Sequence, residues 1–136
     1  VGRSGVLVGG VMFTNFDAAN ETCELGCWLE PGAKGRGPVT AACKVLLDWA
    51  FTDRGIHRAE WHCRADNESS VAVAKRLGMT FEGVLREPWK VDGFYYGSQV
   101  WSLLSTDRTV RSRLRPAPTN FLMLVTRLPG MALSRV

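Results

Sequence analysis

The run Pro31-Gly32-Ala33-Lys34-Gly35-Arg36-Gly37-Pro38 separates an apolar extended segment from an amphipathic helical pattern. Glycines let the backbone turn tightly and bring successive N–H groups close to one another. Pro38 suits the first position of a helix, where its missing N–H has no partner to lose. The chain must therefore join the end of a strand to the start of a helix here, which points to a mixed α/β domain. The same join suits an anion. The helix N-terminus carries about half a positive charge, and Lys34 and Arg36 add two full ones. The pattern is not a GxxxxGK[ST] loop. Nor is it GxGxxG, because position 40 is Thr. A plain strand–helix connection is the alternative reading of these eight residues.

Around this join the apolar periods are regular. Residues 6–16 and 21–30 read as two strands across the polar break Asp17-Ala18-Ala19-Asn20, with the spacing of an antiparallel hairpin. Residues 38–53 place Val39, Ala42, Cys43, Leu46, Leu47, Ala50 and Phe51 on one helical face, and Gly55 stops the helix. Residues 57–65 alternate, with Ala59, Trp61 and Cys63 on one side and Arg58, Glu60, His62 and Arg64 on the other. Asp66 or Asn67 caps a helix over 68–77, ended by Gly78. A strand from Met79, a turn at Asp92-Gly93 and a strand over 94–104 complete the body. The expected order is β-β-turn-α-β-α-β-β on one mixed sheet, not a doubly wound parallel one. Periodicity stops after Ser105, where Pro116 and Pro118 interrupt the chain and 121–125 is too short to classify. The sequence thus predicts a domain over 1–104 and a basic, loosely ordered tail over 105–136.

The 136 residues fit one domain. The net charge of +4 hides an uneven distribution. Six arginines and one acid, Asp107, fall within 105–136, while 11 basic and 12 acidic residues make 1–104 nearly neutral. That argues against a nucleic-acid-binding body and leaves the tail as the basic element. No apolar run approaches the ~20 residues that span a bilayer, and the start VGRSGVLVGG has no signal-peptide pattern. Because it opens on Val rather than Met, the sequence is expected to begin inside a longer protein or at an unusual start. Cys23, Cys27, Cys43 and Cys63 lack the paired spacing of a zinc site. They read as buried free thiols in a reducing compartment, which predicts a cytoplasmic protein with no metal.

The stretches ELGCWLEPGAKGRGPVTAACKVLLDWAF and GIHRAEWHCRADNESSVAVAKRLGMTFEGVLRE resemble the GNAT acyltransferases. With the Tyr-rich last strand, they are most similar to the Rim-type branch, the ribosomal-protein N-acetyltransferases and their relatives. The matching run covers 6–104, and the family places a strand and two helices ahead of it. The resemblance therefore implies an N-terminally truncated GNAT fold. It also implies transfer of an acetyl group from acetyl-CoA to a primary amine of a protein, peptide or small molecule, a protein N-terminus included. A non-catalytic domain of this fold that binds CoA or a partner is the alternative. No membrane or nucleic-acid partner is expected, and a homo-oligomer is left open.

The resemblance carries over to individual positions. Lys34, Gly35, Arg36, Gly37, Pro38, Val39 and Thr40 would hold the pyrophosphate. Strands 24–30 and 58–65 would splay to admit the pantetheine arm, with Trp28, Leu29 and Asn67 beside it. Many of these enzymes protonate the leaving thiolate with a Tyr, but that position is Ala74 here. The Rim-type alternative falls on Ser70, within Asn67-Glu68-Ser69-Ser70. An ordinary first-turn serine is its plain reading. The branch's candidate base falls at Trp89, so Glu87, on the same side of a regular strand, is the expected base. Glu24, Glu60 and His62 are the alternatives.

Overall fold

The computed structural model describes residues 7–34 and 37–108, together with the backbone of 121–124. Strands β1 (Gly9–Asp17) and β2 (Thr22–Leu29) form the antiparallel hairpin. A 3-10 turn at Pro31–Ala33 leads to helix α1 (Pro38–Thr52), followed by β3 (Arg58–Arg64) and α2 (Glu68–Arg76). Strands β4 (Thr80–Val91) and β5 (Phe94–Leu104) make the second hairpin. Its turn residues, Asp92 and Gly93, both have positive φ, the geometry that matches the twist of a two-residue hairpin. The sheet has six strands in the order β4-β5-β3-β2-β1-β6, where β6 is Phe121–Leu124. The pairings β2–β3 and β1–β6 are parallel and the rest antiparallel.

One face of the sheet carries the core. Val11, Phe13, Cys23, Leu25, Ala59, Trp61, Cys63 and Trp101 are buried there against Ala42, Cys43, Leu46, Leu47 and Ala50 of α1 and Ala74 of α2. Phe13 and Phe16 meet Trp49 with ring centroids 5.9 Å away, which closes the end of the core under α1. Alternation sends Arg58, Glu60, His62 and Arg64 of β3 to the other face. Among the described residues no helix is long and apolar enough to cross a membrane, and no cluster of metal-ligating side chains is present.

Two local features shape the sheet. Between Phe13 and Asn15 the β1–β2 register shifts, so Thr14 bulges from β1. A bulge bends its strand and sharpens the local twist. Beside it, a Cβ on Gly26 would lie 2.6 Å from Thr14 Cγ2, so β2 passes only as glycine. Gly26 is also where β2 stops pairing with β3, the last rung being Leu25 with Trp61.

Two sequence expectations change. The stretch from 105 is not wholly a tail. Ser105–Asp107 form a 3-10 turn, Arg108 forms an ion pair with the buried Asp48 of α1, and β6 lies along β1 from Gly9 to Met12. The short apolar run 121–124 gains stability from an existing edge rather than from its own length, so a local pattern could not reveal it. The remaining residues of 105–136 lie outside those described. Strand β4 is also irregular: its pairing slips between Leu85 and Trp89, and Glu87 has φ 51°. The same-side relation of Glu87 and Trp89 expected of a regular strand therefore does not apply.

Candidate functional site

Beyond Leu25 and Trp61 the parallel neighbours β2 and β3 separate. Residues 26–29 keep β1 on one side and have no β3 rung on the other. The result is a V whose inner edges offer backbone N–H and C=O groups to an inserted amide-bearing chain, as a missing strand would take them. The V opens into a cleft of about 230 Å³ bounded by β2, the start of α1 and the exposed side of α2.

The start of α1 builds one wall. Gly37 is its N-cap with φ 78°. A side chain there would be strained although the space around it is open. With glycine as the N-cap no side chain caps the helix, and Pro38 has no N–H, so the leading N–H groups are those of Val39 and Thr40, both on the cleft wall. Thr40 Oγ1 lines the same wall, buried and without a hydrogen-bond partner among the described residues. Buried hydroxyls are nearly always paired, so this one fits a site completed by a ligand. Lys34 and Arg76 bring positive charge, and among the described residues no carboxylate lines the cleft.

Helix α2 builds the opposite wall. Asn67 Oδ1 accepts the Ser70 backbone N–H at 3.1 Å, the capping bond that fixes the first turn. Ser70 is buried, and its Oγ accepts the Trp61 indole N–H at 3.0 Å. With that bond received, the Ser70 proton is free to point elsewhere. Burial raises the Cys63 thiol pKa and the Ser70 hydroxyl pulls it back. Cys27, on the β2 wall, has its thiol pushed up to about 11 by burial, so it is poorly ionised at neutral pH.

The cleft thus gathers Trp28, Leu29, Lys34, Gly37, Pro38, Val39, Thr40, Asn67 and Ser70 of the residues marked in the sequence. Gly35 and Arg36 lie outside the described residues. Glu87 is exposed on β4, outside the cleft. Glu60 and His62 stand on the other face of β3, bonded to each other. The sequence reading passed over Cys27, Trp61, Ser69, Ala72, Val73 and Arg76, which also line the cleft. The last four had a signal: Ser69, Ala72, Val73 and Arg76 recur at helical spacing as a small and polar stripe opposite the apolar one.

The chain is 33% identical over 103 residues to a putative ribosomal N-acetyltransferase of Bacillus subtilis (strain 168), covering 76% of this chain and 56% of that protein. It is 32% identical over 81 residues to the ribosomal-protein-serine acetyltransferase of Escherichia coli (strain K12), covering 60% and 45%. Among solved structures, the microcin C7 self-immunity acetyltransferase, in complex with acetyl-CoA and AMP, superposes with a TM-score of 0.58 at 35% identity. That match covers 65% of this chain and 49% of the other. The chain thus spans about half the length of the relatives it matches. The model of the acetyltransferase (GNAT) domain matches residues 1–80, from before the first hairpin through α2 and so across the whole V. With that span matched, the chain belongs to the GNAT acetyltransferase family.

Proposed function

We propose that this chain holds the donor site of an N-acetyltransferase that moves an acetyl group from acetyl-CoA to a primary amine. The observation that carries the reading is the V between β2 and β3, opening onto an α1 N-terminus that, among the described residues, has an unpartnered Thr40 hydroxyl and no acidic neighbour. The residues suit the donor. The N–H groups of Gly37, Val39 and Thr40, with Lys34, would hold the pyrophosphate. The free edges at 26–29 and 62–64 would pair with the amides of the pantetheine arm, with Trp28, Leu29 and Asn67 beside it.

The chemistry asks for a neutral amine, donors toward the developing oxyanion and a proton for the departing thiolate. Ser70 sits in the first turn of α2 on the cleft wall, with Trp61 donating to its oxygen. That orientation favours Ser70 as the proton donor to sulfur. The acceptor class is a peptide or protein N-terminus or a small amine, by similarity to the relatives that carry those names. Four free cysteines suit a reducing compartment, hence the cytoplasm.

A second reading, a CoA-binding domain without turnover, is favoured by the exposed position of Glu87, which leaves the expected base away from the cleft. Thiol release from acetyl-CoA separates the two when run with an N-terminal seryl peptide, an alanyl peptide and spermidine, with the products weighed by mass spectrometry. Amine-dependent release with a 42 Da gain on the acceptor is expected. Tight acetyl-CoA binding with no release from any of the three would favour the binding module.

A further inference from the structure

We infer that His62, held by Glu60, is the group that takes the proton from the acceptor amine, acting from the sheet face opposite Ser70. The inference rests on the acetyl-transfer reading above. The last β2–β3 rung is Leu25 with Trp61, so His62 is the first β3 residue inside the V. Trp61 points to the helices and bonds Ser70. Alternation turns His62 to the other face. The root of the V therefore carries a hydroxyl on one side and an imidazole on the other. A thioester lying in the V would present its sulfur to the first and its carbonyl carbon to an amine arriving past the second.

The imidazole is held by a continuous polar chain. Ser102 Oγ donates to Glu82 Oε1 at 2.6 Å, and Arg58 donates to both Glu82 oxygens at 2.7 Å. Arg58 Nε donates to Glu60 Oε1 at 2.8 Å, and His62 Nε2 lies 2.8 Å from Glu60 Oε2. Burial pushes the Glu60 carboxyl up, but its bonds to Arg58 and His62 prevail and hold it below the ordinary carboxylate range. A charged carboxylate only accepts, so Nε2 carries the hydrogen, and the base form of the ring has its lone pair at Nδ1. Nδ1 has no hydrogen-bond partner among the described residues. The His62 side chain is 17% exposed, which leaves it reachable from that face.

The charged groups around the ring come from three strands. Arg58, Glu60 and Arg64 are on β3, Glu24 is the β2 residue in register with Glu60, and Glu82 is on β4. Strand β5 contributes the uncharged Ser98, Val100 and Ser102. Arg58 is shared between two carboxylates and Arg64 is paired with Asp66. The face therefore suits an ammonium group on approach.

In the step, Nδ1 takes one proton from the ammonium. The freed nitrogen lone pair forms the C–N bond to the thioester carbon. The C–S bond breaks with its electron pair on sulfur. One further N–H proton is lost from the new amide, while the thiolate gains one through Ser70. An ammonium and a thioester thus give an amide, a thiol and one proton, which leaves from His62 to solvent.

The test uses the chain as it stands, with acetyl-CoA and the three amines named above. His62→Ala and His62→Gln should lower kcat about 10²-fold or more, the usual contribution of a general base, with acetyl-CoA affinity by calorimetry changed less than threefold. Added imidazole should restore part of the His62→Ala rate, a response that a packing role would not give. Glu60→Gln, which removes a positioning residue, should lower kcat about tenfold, and Glu60→Asp should recover part of it. His57→Gln serves as the control and should keep the wild-type rate, since that ring bonds Ser105 Oγ at 3.1 Å at the far end of the strand. Wild-type turnover in both His62 variants would overturn the assignment. So would a loss that imidazole does not relieve while acetyl-CoA still binds. A wild-type chain that binds acetyl-CoA but releases no thiol would overturn the transfer reading instead.

Discussion

Ser70 joins two jobs in one hydroxyl. It accepts the buried Trp61 indole N–H and lines the cleft. Ser70→Ala should therefore move two measurements. Leaving the indole unpaired costs about 1–3 kcal/mol, seen as a lower Tm. Losing the proton donor should lower kcat tenfold or more, with acetyl-CoA affinity changed less than threefold. A lower Tm at unchanged kcat would leave Ser70 as a structural serine alone. Glu82 gives a second residue-level test, through pH. Its bonds from Arg58 and Ser102 hold its carboxyl down from 4.5 to about 2. Folding thus favours the charged form. The stabilisation is full above pH 4.5 and disappears as pH falls toward 2. The group is well solvated, so it contributes about 1 kcal/mol at most after screening. Glu82→Gln should flatten the loss of stability between pH 4.5 and 2, read by denaturant titration across that range. An unchanged acid profile would mean that the Arg58 bonds carry no net stability.

At the scale of elements, what could be read from the sequence followed the strength of each local period. Helix α1 was legible to within a residue because seven apolar positions share one face and Pro38 and Gly55 bound it. Strand β3 was legible because it alternates without a break. The glycine turn and Asn67–Ser70 spacing brought most of the cleft walls with them. Strand β4 misled because its slip and the positive φ of Glu87 leave no mark in the alternation pattern. Strand β6 escaped because its four residues depend on the β1 edge for their hydrogen bonds. The V itself was expected only through family resemblance. The V, like the Thr14 bulge packed against Gly26 beside it, is a matter of pairing between strands and so has no signature within any one of them. The α1 start yields its own prediction. Gly37→Asp puts a side chain at φ 78° and a negative charge beside the anion site. Acetyl-CoA affinity should fall at least tenfold, about 1.4 kcal/mol, by calorimetry on a folded variant. An unchanged Kd would remove the pyrophosphate from this helix end.

For the molecule as a whole, the sheet ends on β4 and β6, and Arg108 ties the chain after β5 back to Asp48 of α1. A chain ending after Arg108 keeps that ion pair but loses β6, which exposes the backbone edge of β1 from Gly9 to Met12. Bare edges template pairing with other chains. The shortened chain should show concentration-dependent association in sedimentation while keeping its acetyl-CoA affinity. A strictly monomeric species across that range would mean that β6 does not protect the edge. Backbone amide resonances, followed while acetyl-CoA is titrated in, report whether the V and the α1 N-terminus together form the donor site. Saturable shifts are expected at Gly37, Val39 and Thr40, at 26–29 and at 62–64, with the Asn67 side-chain amide moving alongside. Saturable shifts confined to other surfaces, with these amides unmoved, would contradict that assignment.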